Sequence, residues 1–172
     1  DIKVADLALF DIEYLFLKTR AKSAGEKIDL IITDPNDPSF TTDHSINIDK
    51  IGVKRNEDHK DLIEINEGLH VKMRYPDISF FNQGIDLSTV ASQIELIAKC
   101  VSQVIADDEV YDAREMSSDE IVAWLEDLTT EQFKKIANFF TTMPKLSHTI
   151  TLKNTNTGND FTVVLEGLQD FF

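Results

Sequence analysis

Histidine and cysteine are the most common zinc ligands in proteins, and this sequence contains four histidines and one cysteine: His44, His59, His70, His148 and Cys100. A structural zinc site uses four ligands, usually in closely spaced pairs, and one cysteine cannot supply paired thiolates. No histidine has a second histidine four residues further on. The spacing therefore predicts no metal site, with a site assembled from distant residues as the open alternative.

An acidic segment containing Asp107, Glu109 and Asp112 has the residue types of a calcium loop. Such a loop also requires a glycine for its sharp turn and a bidentate glutamate at its twelfth position. The segment has neither. We expect a solvated acidic connection between residues 106 and 116.

Catalytic templates are also unmatched. The six glycines form neither a Gly-x-x-x-x-Gly-Lys-Ser/Thr loop nor a Gly-x-Gly-x-x-Gly loop, so nucleotide binding is not expected. Cys100 lies at the margin of an apolar helical pattern, where a buried, inert thiol is expected in place of a nucleophile. With 31 acidic residues, a pair of glycosidase carboxylates can always be chosen, so the pattern has no specificity. We predict no catalytic, cofactor-binding or metal-binding residues, and no enzymatic activity.

The first predicted element is an amphipathic helix that ends at Gly25. Its apolar stripe recurs at three- and four-residue steps. The stripe consists of Leu7, Phe10, Tyr14, Leu17, Ala21 and Ala24. Because Ile12, Leu15 and Phe16 extend the apolar surface beyond this stripe, the helix is expected to be covered on more than one side.

Alternating apolar residues predict strands at 28–32, 46–48, 63–65 and 69–75. The last two flank Asn66-Glu67-Gly68, which has the chemistry of a tight hairpin turn. We expect these strands to form one small antiparallel sheet that packs on the first helix.

The second half of the sequence predicts mainly helices. A long helix is expected to begin at Asp86 and to carry a regular apolar stripe. This stripe consists of Leu87, Val90, Ala91, Ile94, Ile97, Ala98, Val101, Val104 and Ile105. Capping boxes at 117–120 and 129–132 predict two further helices, and a hairpin is expected from 149–153 and 161–165.

Together these elements predict an α+β fold: a small antiparallel sheet packed on an N-terminal helix, followed by a helical bundle and a C-terminal β-hairpin. We expect a helix-and-sheet lobe at 1–79 and a helical lobe with the terminal hairpin at 80–172, with one compact domain as the alternative. The chain, which starts without methionine, is expected to be a fragment of a longer protein.

Composition restricts the class of partner. The formal net charge is -14 and the sequence pI is about 4.5, so the chain is expected to repel nucleic acid and anionic membrane surfaces. A hydrophobic fraction of 42% and eleven phenylalanines argue for a folded chain. Neither a membrane span nor a signal peptide is apparent, so we expect the cytoplasm or an assembled particle.

A family resemblance rests on residues 11–26, which read Asp-Ile-Glu-Tyr-Leu-Phe-Leu-Lys-Thr-Arg-Ala-Lys-Ser-Ala-Gly-Glu. This run resembles a signature of the baseplate hub proteins of T-even-type, contractile-tailed bacteriophages. The segments 51–59, 71–76 and 165–172 extend the resemblance over nearly the whole chain. The family contains a hub subunit and a hub assembly catalyst.

The resemblance implies a non-enzymatic structural component of the tail baseplate hub, which acts through protein–protein contacts during tail assembly. The alternatives are an assembly catalyst absent from the mature virion and a hub-associated cell-wall hydrolase. The implied location is the tail baseplate of the virion, with the host cytoplasm during assembly.

The implied partners are other hub and tail proteins, and an oligomer within the baseplate is left open. Neither nucleic-acid binding nor membrane insertion is expected. The candidate residues of a partner interface are Tyr14, Phe16, Phe80, Phe81, Phe171 and Phe172. For Phe80 and Phe81, packing as a plug under the sheet is the alternative.

Overall fold

The computed structural model describes residues 3–4, 7–78 and 89–172. Within these ranges the chain forms four α-helices and nine β-strands. In chain order they are α1 (Leu9–Ala24), β1 (Lys27–Asp34), β2 (Asp37–Asn47), β3 (Gly52–Lys54), β4 (Leu62–Asn66), β5 (Leu69–Met73), α2 (Val90–Cys100), β6 (Val101–Ala106), β7 (Glu109–Asp112), α3 (Ser118–Glu126), α4 (Thr130–Thr142), β8 (Lys145–Lys153) and β9 (Asp160–Glu166).

The chain divides into two compact units, and each unit combines two separate stretches. Unit 1 consists of Asp1–Leu9 and Arg55–Met143, and unit 2 consists of Phe10–Lys54 and Pro144–Phe172. The lobe boundary expected between residues 79 and 80 lies outside the described residues, so that division stays a prediction.

Unit 2 is built from α1, the β1–β2 hairpin and a second antiparallel sheet in the order β3-β8-β9. Ile28 lies opposite Ile46 in the hairpin, and Ile150 lies opposite Val163 in the second sheet. One face of α1 joins both sheets in a single apolar core. Its buried members are Leu17, Ala21, Ile32, Phe40, Ile46, Ile48, Ile51, Leu146, Ile150, Phe161, Leu165 and Phe171.

Unit 1 packs α2, α3 and α4 with a four-stranded antiparallel sheet in the order β4-β5-β6-β7. The β4–β5 hairpin turns at Gly68, whose φ of 80° favours glycine. The helices and the sheet share a second apolar core. Its buried members are Ile65, Val71, Met73, Ile97, Ala98, Cys100, Val101, Val104, Ile121, Leu125, Ile136 and Phe139.

The predicted α+β class is confirmed, as is the packing of the N-terminal helix with antiparallel strands. Both capping boxes form: the hydroxyls of Ser117 and Thr129 accept from the backbone N–H three residues on, and the side chains of Glu120 and Gln132 accept from the capping residues. The C-terminal hairpin forms as β8 and β9. These features depend on short-range chemistry that the sequence displays directly.

The long helix expected to reach Ile105 is wrong beyond Cys100, because residues 101–106 form strand β6. Lys72 pairs with Gln103 and Met73 pairs with Val101, so Ser102 is an extra residue in the ladder. Such a bulge shifts the alternation of a strand by one residue and places Val101 and Val104 on the same buried face. A three-residue apolar spacing that is typical of helices here arises from a bulged strand. The expected helix start at Asp86 lies outside the described residues.

One further expectation about the sheets is wrong. Among the described residues, the strands up to residue 75 do not form one sheet, because β1 pairs with β2, and β4 and β5 belong to the sheet of unit 1. The acidic connection after β6 is largely exposed, as expected, and it contains strand β7, which pairs with β6. Alternation predicts a strand but does not identify its neighbour.

Candidate functional site

An exposed apolar patch lies on unit 2, where the last residue of the chain meets the helix α1. Phe16 and Phe172 are 51% and 59% exposed, and their rings pack edge to face with centroids 6.0 Å apart. Leu15, which precedes Phe16 on α1, is 50% exposed. We call Leu15, Phe16 and Phe172 the aromatic patch. The patch keeps its apolar side chains at the surface, whereas the sequence predicted cover on more than one side of this helix.

The backbone of the C-terminal segment is held in place, so the position of Phe172 is defined. The Leu168 N–H donates to Glu13 Oε1 at 3.2 Å, which connects the 3-10 turn Leu168–Asp170 to α1. The Glu166 N–H donates to Asp170 Oδ2 at 2.7 Å. The Gly167 N–H donates to the Leu146 carbonyl at 3.0 Å. These bonds fix the backbone of the segment that leads to Phe172.

The two terminal phenylalanines have different environments. Phe171 is 1% exposed and belongs to the core of unit 2, whereas Phe172 lies in the aromatic patch. Its own chain therefore buries Phe171, which the sequence had placed in a partner interface.

The other predicted contact residues are placed as follows. Tyr14 is partly buried against the core of unit 2, and Lys18 Nζ lies 5.2 Å from the centre of its ring. Lys18 also donates to the Asp49 carbonyl, which ties α1 to the chain after β2. Phe80 and Phe81 lie outside the described residues. Of the six predicted residues, the structure brings Phe16 and Phe172 together at the surface.

Glu13, which accepts from the Leu168 N–H, has a perturbed acidity. Glu13 is a buried residue of α1, and burial raises the pKa of its carboxyl above the usual range, while the hydrogen bond from Leu168 opposes the shift. The carboxyl works as an acceptor for the 3-10 turn. Its role in positioning Phe172 was not apparent from the sequence, which shows only an acidic residue near the start of a helix.

A buried asparagine joins the turns at the ends of the two hairpins of unit 2. Asn154 is 0% exposed, and its Nδ2 donates to Asp34 Oδ2 at 2.8 Å and to Asp37 Oδ2 at 3.1 Å. Its Oδ1 accepts from the backbone N–H groups of Asn156 and Thr157 at 2.8 and 3.2 Å. The pKa of Asp37 is lowered, mainly by a hydrogen bond from Ser39 and next by that from Asn154. Asn154 thus fixes the β1–β2 turn against the β8–β9 turn.

The histidines and the cysteine considered for metal or catalytic chemistry are divided between the two units. His44 and His148 belong to unit 2, where burial lowers the pKa of His148 and the charges of Lys54 and His44 lower it further. Cys100 is fully buried in unit 1, and burial raises the pKa of its thiol to about 12. Among the described residues, no group of three or more His, Cys, Asp and Glu side chains is arranged to hold a metal ion.

His59 is part of an aromatic cluster in unit 1. Its ring stacks on Tyr75 with centroids 5.6 Å apart and lies 4.9 Å from the ring of Phe139. The Thr142 hydroxyl donates to the Asn138 carbonyl at 2.9 Å, so its oxygen accepts from His59 Nδ1 at 2.9 Å. Burial lowers the pKa of His59 against the opposing charge of Asp61. This histidine holds the loop before β4 against α4.

Comparison with known proteins identifies one family over the full length. The model of the family described as T4 bacteriophage base plate protein matches residues 1–172. Neither the curated proteins nor the solved structures contain a match to this chain. Among the helices that the structure describes, none has the length and apolar character needed to cross a membrane.

Proposed function

The chain belongs to the T4 bacteriophage base plate protein family, and from this membership we propose that it is a non-enzymatic component of the baseplate hub that binds other tail proteins during assembly. The family assigns a structural role in the tail baseplate of the virion. Our proposal goes beyond the family in three respects: the hub location, the absence of catalysis and the contact surface.

The aromatic patch supports the proposed contact surface, because Phe16 and Phe172 are both exposed, pack on each other and lie on an ordered backbone. Aromatic residues are enriched at the centres of protein interfaces, where they bring large contact area at low entropic cost. Burying a whole phenylalanine side chain contributes about 1.5–3 kcal/mol, and each of these rings is about half exposed. Covering both therefore contributes about 2 kcal/mol, which corresponds to an approximately thirtyfold change in affinity.

The direct test uses the phage that carries this gene, with the chromosomal copy replaced by variants. F16A/F172A should reduce the yield of assembled baseplates and of infectious particles, because the partner loses its main apolar contact. Val164→Ala is the matched control, since Val164 is 50% exposed in the same unit but lies on β9. Circular dichroism of the purified variants checks that both retain the fold.

Three outcomes would contradict the proposal. If F16A/F172A and Val164→Ala gave equal assembly, the aromatic patch would not be a partner surface. If mass spectrometry of purified tails showed no copy of this chain at fixed stoichiometry, the assembly-catalyst alternative would replace the structural one. Release of peptidoglycan fragments by the purified protein would establish the hydrolase alternative.

A further inference from the structure

Strand β4 is an outer strand of the four-stranded sheet of unit 1, because β5 is its one neighbour in the order β4-β5-β6-β7. The Met73 N–H donates to the Asp61 carbonyl at 2.7 Å, in the same antiparallel register that pairs β4 with β5. Hydrogen-bonded and non-hydrogen-bonded positions alternate in such a pair, so residues 61 and 63 face β5. Leu62 and Glu64 therefore direct their backbone N–H and C=O groups away from β5, where a further strand can reach them.

Helix α4 holds this edge at two points and leaves it open between them. Lys135 Nζ donates to the Ile65 carbonyl at 2.8 Å, which closes the edge after residue 64. The Thr142 hydroxyl accepts from His59 Nδ1 at 2.9 Å, which holds the chain just before residue 60. A groove of about 240 Å³ lies between these two contacts, with residues of both β4 and α4 along its sides. We call residues 60–64 the open edge.

Three side chains of the open edge lie in a regular order. Lys60, Leu62 and Glu64 follow one another at two-residue steps, all three are exposed, and all three line the groove. Leu62 is 46% exposed. The salt bridges formed among the described residues include neither Lys60 nor Glu64. The open edge therefore presents a cation, an apolar group and an anion in sequence, with both charges free to meet a partner.

This order is complementary to itself when two copies run in opposite directions. In an antiparallel pair centred on Leu62, the two Leu62 side chains meet, and each Lys60 lies opposite Glu64 of the second copy. Opposite charges directly across two strands stabilise the pair, whereas like charges destabilise it. Asp61 lies opposite Ile63 of the second copy in this register, so it meets no like charge. The free backbone groups of Leu62 and Glu64 also find partners.

We propose that two copies of the chain form a symmetric dimer by pairing their open edges about Leu62. The formal net charge of -14 makes two copies repel each other, so a contact between them requires a surface whose own charge is balanced. The groove meets this requirement, because Asp58 and Glu64 are matched by Lys60 and Lys135. Charged side chains on an edge strand commonly prevent association. Here their two-fold arrangement attracts a second copy.

The first test measures the mass of the full chain by sedimentation equilibrium over a range of concentrations. We expect a dimer that dissociates on dilution. Amide hydrogen exchange, followed by nuclear magnetic resonance, locates the contact at single residues. The Leu62 and Glu64 amides should exchange more slowly at the concentrations that favour the dimer, because the second copy accepts from these N–H groups.

Charge reversal tests the register. K60E and E64K each place like charges opposite each other at two positions, because the dimer is symmetric, so each should weaken dimerisation by about tenfold or more. An equimolar mixture of the two variants should dimerise again, since one chain then presents two acidic residues and the other presents two basic ones. Recovery in the mixture cannot come from a misfolded variant. The double variant K60E/E64K should also dimerise.

Two further variants separate the edge from the rest of the chain. K153E makes the same change in charge at an exposed position of β8 in unit 2, and should leave dimerisation near that of the natural chain. L62P removes an N–H that points away from β5, and proline is tolerated at such a position of an edge strand. L62P should therefore keep the fold, as checked by circular dichroism, and lose the dimer.

Three results would overturn the proposal: a chain that stays monomeric up to its solubility limit, a dimer that K60E and E64K leave unchanged, or a mixture no more dimeric than either variant alone. Slow exchange of the Leu62 and Glu64 amides only after other tail proteins are added would also overturn it, and would assign the open edge to a strand of a partner. The proposed tail function is tested separately by F16A/F172A in unit 2, so either proposal can fail without the other.

Discussion

Replacing Asn154 should loosen the ends of both hairpins of unit 2, because its side chain joins the β1–β2 turn to the β8–β9 turn. Alanine removes the donor to the buried carboxylate of Asp34 and the acceptor for two turn amides. A hydrogen bond to a charged group contributes about 1.5–3 kcal/mol, and each amide bond adds up to about 1 kcal/mol. We therefore expect N154A to lower local stability by about 3 kcal/mol, without counting the more exposed Asp37.

N154D separates the donor role of Asn154 from its acceptor role. Aspartate keeps the oxygen that accepts from Asn156 and Thr157 but directs a second carboxylate oxygen at Asp34 and Asp37. Like charges about 4 Å apart repel by about 4 kcal/mol at an effective dielectric constant near 20. N154D should therefore be less stable than N154A at pH 7. The repulsion raises the folded-state pKa of the introduced carboxyl, so the defect is present above that pKa and recedes as the pH falls through it.

Native-state hydrogen exchange with mass spectrometry measures this effect locally. A loss of about 3 kcal/mol lowers the protection of peptides covering residues 30–47 and 148–166 by roughly 100-fold. N156A is the control, because Asn156 contributes its backbone N–H to the network and alanine retains that group. Equal protection in N154A and N156A, or N154D equal to N154A at pH 7, would refute the assigned role of the buried amide.

Two further outcomes follow from buried titratable groups. Because burial raises the pKa of Glu13, its stabilising contribution is present below the unfolded value near 4.5 and is lost as the pH rises through the folded pKa. The stability of E13Q relative to the natural chain, measured by urea denaturation, should therefore increase from pH 4 to pH 7, and a flat difference would contradict the burial argument. With its pKa raised to about 12 by burial, the Cys100 thiol should not react with a disulfide reagent at pH 8 until denaturant is added. Rapid labelling of the folded chain would show that it is accessible.

The aromatic patch could be predicted only in part from the sequence. The apolar excess at Leu15 and Phe16 was visible as residues outside the main helical stripe, and the structure places both at about half exposure. Phe171 and Phe172 are chemically identical neighbours, so no local pattern could assign one to the core and the other to the surface. That difference arises from the 3-10 turn that Glu13 holds, 155 residues away from Leu168 in the chain.

The cleft of unit 1 that Arg74, Lys99 and Arg114 line shows the same limit. Arg74, Lys99 and Arg114 are ordinary surface cations in the sequence, and they meet only because β5 pairs with β6 and α3 follows the β6–β7 hairpin. Residues 98–102 also cross from a helix into a strand. The bulge at Ser102 gives that strand an apolar spacing that is typical of a helix, so the sequence did not reveal the change. Neither feature can be deduced without knowing the strand partners.

The amino-acid sequence by itself determined the α+β class, the helix that ends at Gly25, both capping boxes, the hairpins at Gly68 and after Asn154, and the family to which the chain belongs. These depend on groups within a few residues of each other, or on recurring residue order. Only the tertiary structure decided the pairing of β3 with β8, the joining of the two turns through Asn154, the surface position of Phe172 and the cleft of unit 1. Such contacts connect residues far apart in the chain, and they are selected by the combined burial of two cores, which no local pattern encodes.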